Sequence, residues 1–188
     1  LTPPEVVRFM VGLAVNNMSE PEIATLCNPK QCSDFGLILD PSSGVASFLA
    51  EVIQVLRERM EKKMHDPSQR EAWLKAMLGH VVVGIDKSER MIRLALTNIA
   101  MFGFPMARLY LANSLARKGD DVKFTDSLEG KVHLLLTNPP FGACFQGNDL
   151  LKYKIATSWC RRIPARLDSE VLFVERYLDW LAPGGQLV

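Results

Sequence analysis

Beyond Phe35 the chain alternates short runs of β-branched and leucine residues with longer stretches whose apolar positions recur at helical spacing. That alternation predicts an α/β fold with a mostly parallel sheet and helices on both faces. The runs place strands at 36–39, 81–85, 108–111 and 132–137. Between the first two, Phe48, Leu49, Val52, Val55 and Leu56 mark a covering helix. A charged stretch from Arg57 to Lys63 then leads to Pro67 and a second amphipathic piece around Trp73, Leu74, Met77 and Leu78, so 57–80 reads as a helical insertion in the crossover. After the second strand, Met91, Ile92, Leu94, Ala95, Ile99 and Phe102 repeat the helical pattern, and Gly103 ends it.

Residues 1–34 read as an N-terminal helical segment leading into the sheet. It starts at Leu1, Thr2 stands near the cap position, a proline occupies the first turn, and Val6, Val7, Met10, Val11, Leu13 and Ala14 form the apolar face. At the other end, 169–181 carries a helical pattern and Pro183-Gly184-Gly185 turns the chain toward Gln186-Leu187-Val188, the start of a fifth strand. A three-residue strand leaves its ladder unfilled, so the expectation is a single domain over 1–188, cut at both ends from a larger one.

Composition narrows the class further. The 188 residues are 48% hydrophobic and 23% charged, an ordinary globular balance, with no apolar run approaching the roughly 18 residues of a membrane span. No membrane partner is expected. The formal net charge of +1 supplies no electrostatic reason for a nucleic-acid partner, so any such partner must be argued from the site. Cys27, Cys32, Cys144 and Cys160 lack the paired spacing of a zinc site and read as reduced thiols of a cytoplasmic protein. His65, His80 and His133 never fall at i, i+4, and no metal is expected.

The most specific string is Asn138-Pro139-Pro140-Phe141, directly after an apolar strand. Ligands of open α/β sheets bind outside the carboxyl ends of the strands, which puts this loop at the expected crevice. Two prolines stiffen it and contribute no N–H, so Asn138 and its neighbouring carbonyls form a group of acceptors. An Asn side-chain oxygen plus a main-chain carbonyl can accept both hydrogens of an exocyclic NH2, and Phe141 offers a face for a base. Three weaker signals accompany it: Asp40-Pro41-Ser42-Ser43-Gly44 at the first strand end, a turn suited to close ligand approach; Asp86 after the second strand, placed to accept from ribose hydroxyls; and Asn113-Ser114 after the third, where Asn113 could meet an adenine edge. Each also has an ordinary reading, as a β-to-α turn, an N-cap and a turn residue respectively.

Taken in order, Thr2-Pro3-Pro4, Asp40-Pro41-x-x-Gly44, Gly84-x-Asp86, Asn113-Ser114-Leu115, Asn138-Pro139-Pro140-Phe141 and Pro183-Gly184-Gly185 resemble the amino-methylating adenine DNA methyltransferases. The likeness is closest to the modification subunit of type I restriction-modification systems. It implies a Rossmann-like class I S-adenosylmethionine-dependent methyltransferase fold in which Thr2 and the loop with Asp40, Pro41, Ser43 and Gly44 contact the methionine part. Asp86 would take the ribose, Asn113 and Ser114 would lie by the cofactor adenine, and Asn138, Pro139, Pro140 and Phe141 would hold a flipped target adenine of DNA. Specificity and restriction subunits are the implied partners. The chain departs from the family loop at Val45, where a hydroxyl is usual, and at Ala46, where a second glycine is usual; Ala46 adds a Cβ where a positive φ or a close backbone contact is expected.

Other readings compete. One is a catalytically silent DNA-associated or assembly subunit with a decayed cofactor loop; another is a methyltransferase acting on an RNA base or a protein glutamine. A dinucleotide oxidoreductase fits less well, because the loop lacks G-x-G-x-x-G. No Pro-Cys nucleophile is present, and Cys144 and Cys160 are expected to be packing residues. Arg161, Arg162 and Arg166 form a modest basic cluster that either faces DNA or is a solvated face.

Overall fold

Neighbouring residues on each central strand are buried on opposite faces: Ile38, Val82 and Leu134 in one apolar cluster, Leu39, Val83 and Leu135 in another. Strands buried on both sides require helices on both sides, which is why their sequences run apolar without alternation. The computed structural model describes residues 2–104, 107–117 and 120–188; Leu1, the start of the expected N-terminal segment, lies outside them. Five strands form the main sheet: β1 (Leu37–Asp40), β2 (Val82–Asp86), β3 (Arg108–Leu111), β4 (Val132–Leu135) and, last in the chain, β7 (Leu181–Leu187). Their order is β3-β2-β1-β4-β7 and every pair is parallel.

Helices α1 (Pro4–Asn16) and α2 (Glu20–Leu26) precede the sheet. Helix α3 (Ser47–Lys63) crosses from β1 to β2 and runs without a break through the charged stretch at 57–63; α4 (Pro67–Ala76) follows, continued by a π-type turn at Met77–Val81. Trp73 of α4 is buried and donates its indole N–H to the Leu26 carbonyl at 2.7 Å, joining this piece to the N-terminal helices. Helix α5 (Glu89–Met101) crosses from β2 to β3, and α6 (Asp120–Asp126) lies between β3 and β4.

Three details differ from the sequence expectations. Thr2 caps nothing: Pro3 is the N-cap of α1, with no side-chain bond, and the Thr2 hydroxyl is used elsewhere. Pro183-Gly184-Gly185 sits inside the last strand, where the register jumps from Val132↔Leu181 to Leu134↔Gln186, so it forms a bulge and not the turn before a strand. Between β4 and β7 the chain builds an arm that hydrophobic patterning did not reveal. It comprises β5 (Cys144–Gln146), a 3-10 stretch at Gly147–Lys152, the short α7 (Lys154–Thr157) and β6 (Arg166–Asp168), antiparallel to β5; α8 (Ser169–Trp180) follows and leads into β7.

A buried polar network fixes α8 beneath this arm. Glu175 and Arg176 are both wholly buried. Glu175 pairs with Arg117 and accepts the Ile155 backbone N–H at 2.7 Å. Arg176 reaches Asp126 at 3.2 Å and the Ser114 carbonyl at 3.2 Å, with its guanidinium over the Trp180 ring. A buried charge is tolerable only while its partners remain. Glu175→Ala is expected to lower the free energy of unfolding by about 2–4 kcal/mol, because it leaves the Ile155 N–H without its acceptor and the mostly buried Arg117 guanidinium with only its contact to Asp179 at 3.3 Å. Urea unfolding of parent and variant measures this.

Candidate active site

Strand order reverses at β1, whose neighbours β2 and β4 are reached by crossovers on opposite sides. The carboxyl ends of β1 and β4 therefore diverge, and a cleft of about 640 Å³ opens there. Its lining includes Thr2, Asp40, Pro41, Ser43, Gly44, Asp86, Asn113, Ser114, Asn138, Pro139, Pro140 and Phe141, so the fold brings every candidate residue to one place. Phe48, Lys87, Met91 and Phe173 line it as well; their helical apolar or charged positions carried no signal of this.

The turn after β1 is held from three sides. Ser43 N–H donates to the Ile85 carbonyl at 2.9 Å, Asn98 Nδ2 to the Val45 carbonyl at 2.8 Å, and Gly44 N–H to Asp86 Oδ2 at 3.0 Å. Gly44 has φ of 52°, and a Cβ built there would meet nothing within 4 Å, so its open side faces the cleft. Ala46, the N-cap of α3, adopts φ of 61° and is the one non-glycine residue at positive φ among those described. The loop thus keeps the course a glycine would give it, and Ala46 carries the strain. Gly84 serves by close approach: a Cβ there would stand 2.5 Å from Leu109 Cδ2 and 2.7 Å from Leu49 Cδ1.

Asp86 is not the cap of α5. Ser88 takes that position, accepting from Met91 N–H, while the other Asp86 oxygen accepts the Ser88 N–H at 2.8 Å. Asn113 is exposed and forms a turn, its Oδ1 accepting the Leu115 N–H at 3.0 Å. The Ser114 hydroxyl is buried and committed to the Pro41 carbonyl at 2.6 Å, which ties the loop after β3 to the loop after β1. The buried Ser43 hydroxyl has no hydrogen-bond partner among the described residues.

On the β4 side, Asn138 Nδ2 donates to Thr2 Oγ1 at 3.0 Å, which leaves Asn138 Oδ1 as an uncommitted acceptor. Its main chain is held too: Ser42 Oγ donates to the Asn138 carbonyl at 3.2 Å and shares a 2.8 Å hydrogen bond with the Thr137 hydroxyl. Ser169 Oγ donates to the Pro140 carbonyl at 3.0 Å. Phe141 is 72% exposed, which excludes a core role and leaves its ring face available for stacking. Ser42 stands in the sequence only as part of the turn after β1, and Thr137 and Ser169 carry no signal, because a hydroxyl bonding across 95 or more residues, or back from a helix start, has no local pattern.

Burial raises the Asp40 carboxyl to about 7; the Ser42 N–H and the Thr137 hydroxyl pull the other way, and the nearby Asp86 charge adds to the rise. Cys144 and Cys160 correct the packing expectation: both are exposed, and Cys144 donates its S–H to Asp168 at 3.0 Å, which with a little desolvation pushes the thiol up. Cys27 and Cys32 are buried free thiols. Among the described residues no His/Cys/Asp/Glu group could hold a metal, and no helix is long and apolar enough to cross a membrane.

An all-parallel sheet in this order with a switch-point cleft is a Rossmann-like arrangement whose β1 turn lacks the dinucleotide glycines, and the fold is that of class I S-adenosylmethionine-dependent methyltransferases. A protein of Listeria monocytogenes described as such a methyltransferase superimposes with a TM-score of 0.54 at 20% identity, covering 100% of this chain and 45% of its own. The chain belongs to the N-6 DNA methylase family, whose model matches residues 1–188. It is 29% identical over 143 residues to the type II methyltransferase M.MamI of Microbacterium ammoniaphilum, covering 76% of this chain and 34% of that protein. A modification subunit described for a type I restriction enzyme of Vibrio vulnificus YJ016 superimposes with a TM-score of 0.60 at 22% identity, over 100% of this chain and 33% of its own. The chain thus spans about a third of the length of these last two relatives.

Two outcomes follow from the loop. Ala46→Gly should leave stability within about 0.5 kcal/mol of the parent, since relief of the left-handed strain offsets the lost methyl, whereas Ala50→Gly inside α3 should cost about 1–2 kcal/mol. Chemical denaturation of both variants checks this. The second concerns pH. The folded Asp40 pKa lies above its unfolded value, so the folded state binds the extra proton and stability falls as pH rises from about 4 to about 7. Asp40→Asn should show a smaller loss than the parent when unfolding is compared at pH 5 and pH 7.5.

Proposed function

We propose that this chain is the catalytic domain of an enzyme that transfers a methyl group from S-adenosylmethionine to the exocyclic amine of adenine in DNA. The observation that carries this reading is Asn138: its NH2 is tied to Thr2, its main chain to Ser42, and its Oδ1 is left as an acceptor at the mouth of the cleft. The residues present fit the cofactor. The Asp86 carboxylate can accept from ribose hydroxyls beyond its bonds to Gly44 and Ser88, the open side of Gly44 admits a ligand, and the unpartnered Ser43 hydroxyl is buried in the cleft wall. When bound, S-adenosylmethionine supplies an electrophilic methyl on a sulfonium.

The protein's own part is positioning. Asn138 Oδ1 and the adjoining main-chain carbonyls accept hydrogens of the target amine and hold its lone pair toward the methyl, while Phe141 stacks on the base that has left the helix. No covalent enzyme intermediate is needed, and no cysteine lines the cleft. Family membership supports DNA as the substrate and adenine as the base. The whole enzyme would act as a modification subunit, as the Vibrio vulnificus relative is described, and a cytoplasmic location with specificity and restriction subunits as partners is part of the proposal. The left-handed Ala46 argues against a silent subunit, because the turn holds its glycine-like course despite the substitution. The N-terminal helical segment over 1–34 and the piece at 57–80 are proposed as accessory parts of the same domain.

Asn138→Ala in the full-length protein should lower methyl transfer to DNA by at least 100-fold, on the order expected for loss of a group that positions the reacting atom, with cofactor affinity changed by less than about threefold. Labelled-methyl incorporation and calorimetry measure the two. Comparable incorporation by the variant would overturn the role given to Asn138, and incorporation into RNA or protein but not DNA would overturn the substrate.

A further inference from the structure

The arm between the Asn138 loop and α8 has no task in the reading above. Its tip, residues 157–163, is exposed at every position. Two large apolar side chains stand out there, Trp159 at 53% and Ile163 at 55% exposure, flanked by Arg161 and Arg162. The other two tryptophans, Trp73 and Trp180, are at most 1% exposed. From 150 to 167 the sequence contains Lys152, Lys154, Arg161, Arg162 and Arg166 and no acidic residue, in a chain whose net charge is only +1. Lys152 is paired with Asp149, Lys154 with Asp179 and Arg166 with Asp168. Arg161 and Arg162 have no ion pair among the described residues, so the uncompensated charge sits beside the exposed indole.

The base of the arm is joined to the candidate catalytic loop. Strand β5 begins three residues after Phe141, β6 ends beside Ser169, and Ser169 bonds the Pro140 carbonyl through its hydroxyl and the Ala143 carbonyl through its N–H at 2.8 Å. Tyr153, between the strands, donates its hydroxyl to the Leu115 carbonyl at 2.5 Å and packs edge-on against Phe145. The tip is therefore carried on a support fixed to the loops on both sides of the cleft.

We propose that this tip is a DNA-docking surface, with Arg161 and Arg162 on backbone phosphates and the Trp159 ring stacked on nucleic-acid bases beside the extruded adenine. Exposed aromatic rings interleaved with unpaired arginines suit nucleic acid, because phosphates take the charge and bases take the ring. An apolar protein partner would not require the two free guanidinium groups. This rests on the proposed methyl transfer to DNA and assigns to one surface the contacts that reaction needs.

The test uses the full-length protein, its Trp159→Phe and R161A/R162A variants, and duplex DNA that the parent methylates. Binding is followed by anisotropy of labelled DNA, and Trp159 by the tryptophan emission that the parent shows and Trp159→Phe lacks. DNA should quench that emission by at least a third. R161A/R162A should weaken binding about 10-fold near 0.15 M salt and make the slope of log K against log salt shallower by about two. Cofactor affinity should be unchanged in both. DNA binding with unquenched Trp159 emission and an unchanged salt slope in R161A/R162A would overturn the docking surface while leaving the methyltransferase reading intact. Quenching by a protein subunit without DNA, with DNA affinity equal in parent and R161A/R162A, would also overturn it. A parent that neither binds nor methylates any DNA would remove the functional reading itself, and the docking surface with it.

Discussion

The reversal of strand order at β1 is the constraint from which the site follows. Because β2 and β4 both pair with β1 and their crossovers leave on opposite sides, the chain cannot cover the carboxyl ends of β1 and β4 together. The gap there is a consequence of winding, and the residues that flank it are those immediately after each strand. Ser42 closes the seam at its floor: one hydroxyl contacts both Thr137 and the Asn138 main chain, so the loop after β1 and the loop after β4 hold a common register. Neither loop has this geometry by itself. Two prolines stiffen 139–140, but their placement relative to Asp40 comes from a bond between residues 95 or 96 apart.

The third wall is held by charge inside the protein. Asn113 and Ser114 stand between two buried apolar residues, Ala112 and Leu115, and are tied further by the guanidinium of Arg176 on the Ser114 carbonyl and by the Ser114 hydroxyl on Pro41. Arg176 is wholly buried, and desolvation lowers its pKa; Asp126 and Asp179 offset that cost, and Trp180 covers its face. Such an arrangement contributes little net stability compared with an apolar core. Its consequence here is directional: α8, the arm and the β3 loop can only dock in one orientation, the one that satisfies Glu175 and Arg176 together.

The sheet was legible because burial on both faces forces uninterrupted apolar runs, and the four runs foreseen lie within a residue or two of the strands observed. The place of the cleft was legible where a residue type is rare at a strand end, as with Asn138-Pro139-Pro140-Phe141, and the left-handed turn where a glycine is replaced, as at Ala46. What could not be read were features made by long-range pairing. The β5–β6 arm rests on three-residue strands, too short to show a period of two, and its apolar residues recur at neither strand nor helix spacing. Thr2 looked like a cap because threonine before prolines often is one; the fold instead spends its hydroxyl on an amide 136 residues away. Pro183-Gly184-Gly185 looked like a turn, and only the pairing with β4 converts it into a bulge.

Asp40 raises an electrostatic question that the functional reading answers. A carboxylate 1% exposed, with Asp86 as a second acidic group acting on it and no cation among the groups that shift it, is expensive to ionise. The turn after β1 needs an acceptor for the Ser42 N–H, which Asp40 provides at 3.1 Å, but an uncharged amide oxygen would serve that bond as well as an acid. A buried acid of this kind becomes favourable when a positive ligand stands beside it, because the low dielectric that penalises the isolated charge also strengthens the pair. S-adenosylmethionine carries two such charges, an ammonium and a sulfonium, whereas a dinucleotide would bring phosphates toward the same carboxylate. Under the proposed function Asp40 would therefore favour the cationic cofactor by sign, while Asp86, placed where dinucleotide sites also keep an acid for the ribose, would accept hydroxyls and not separate the two cofactor classes.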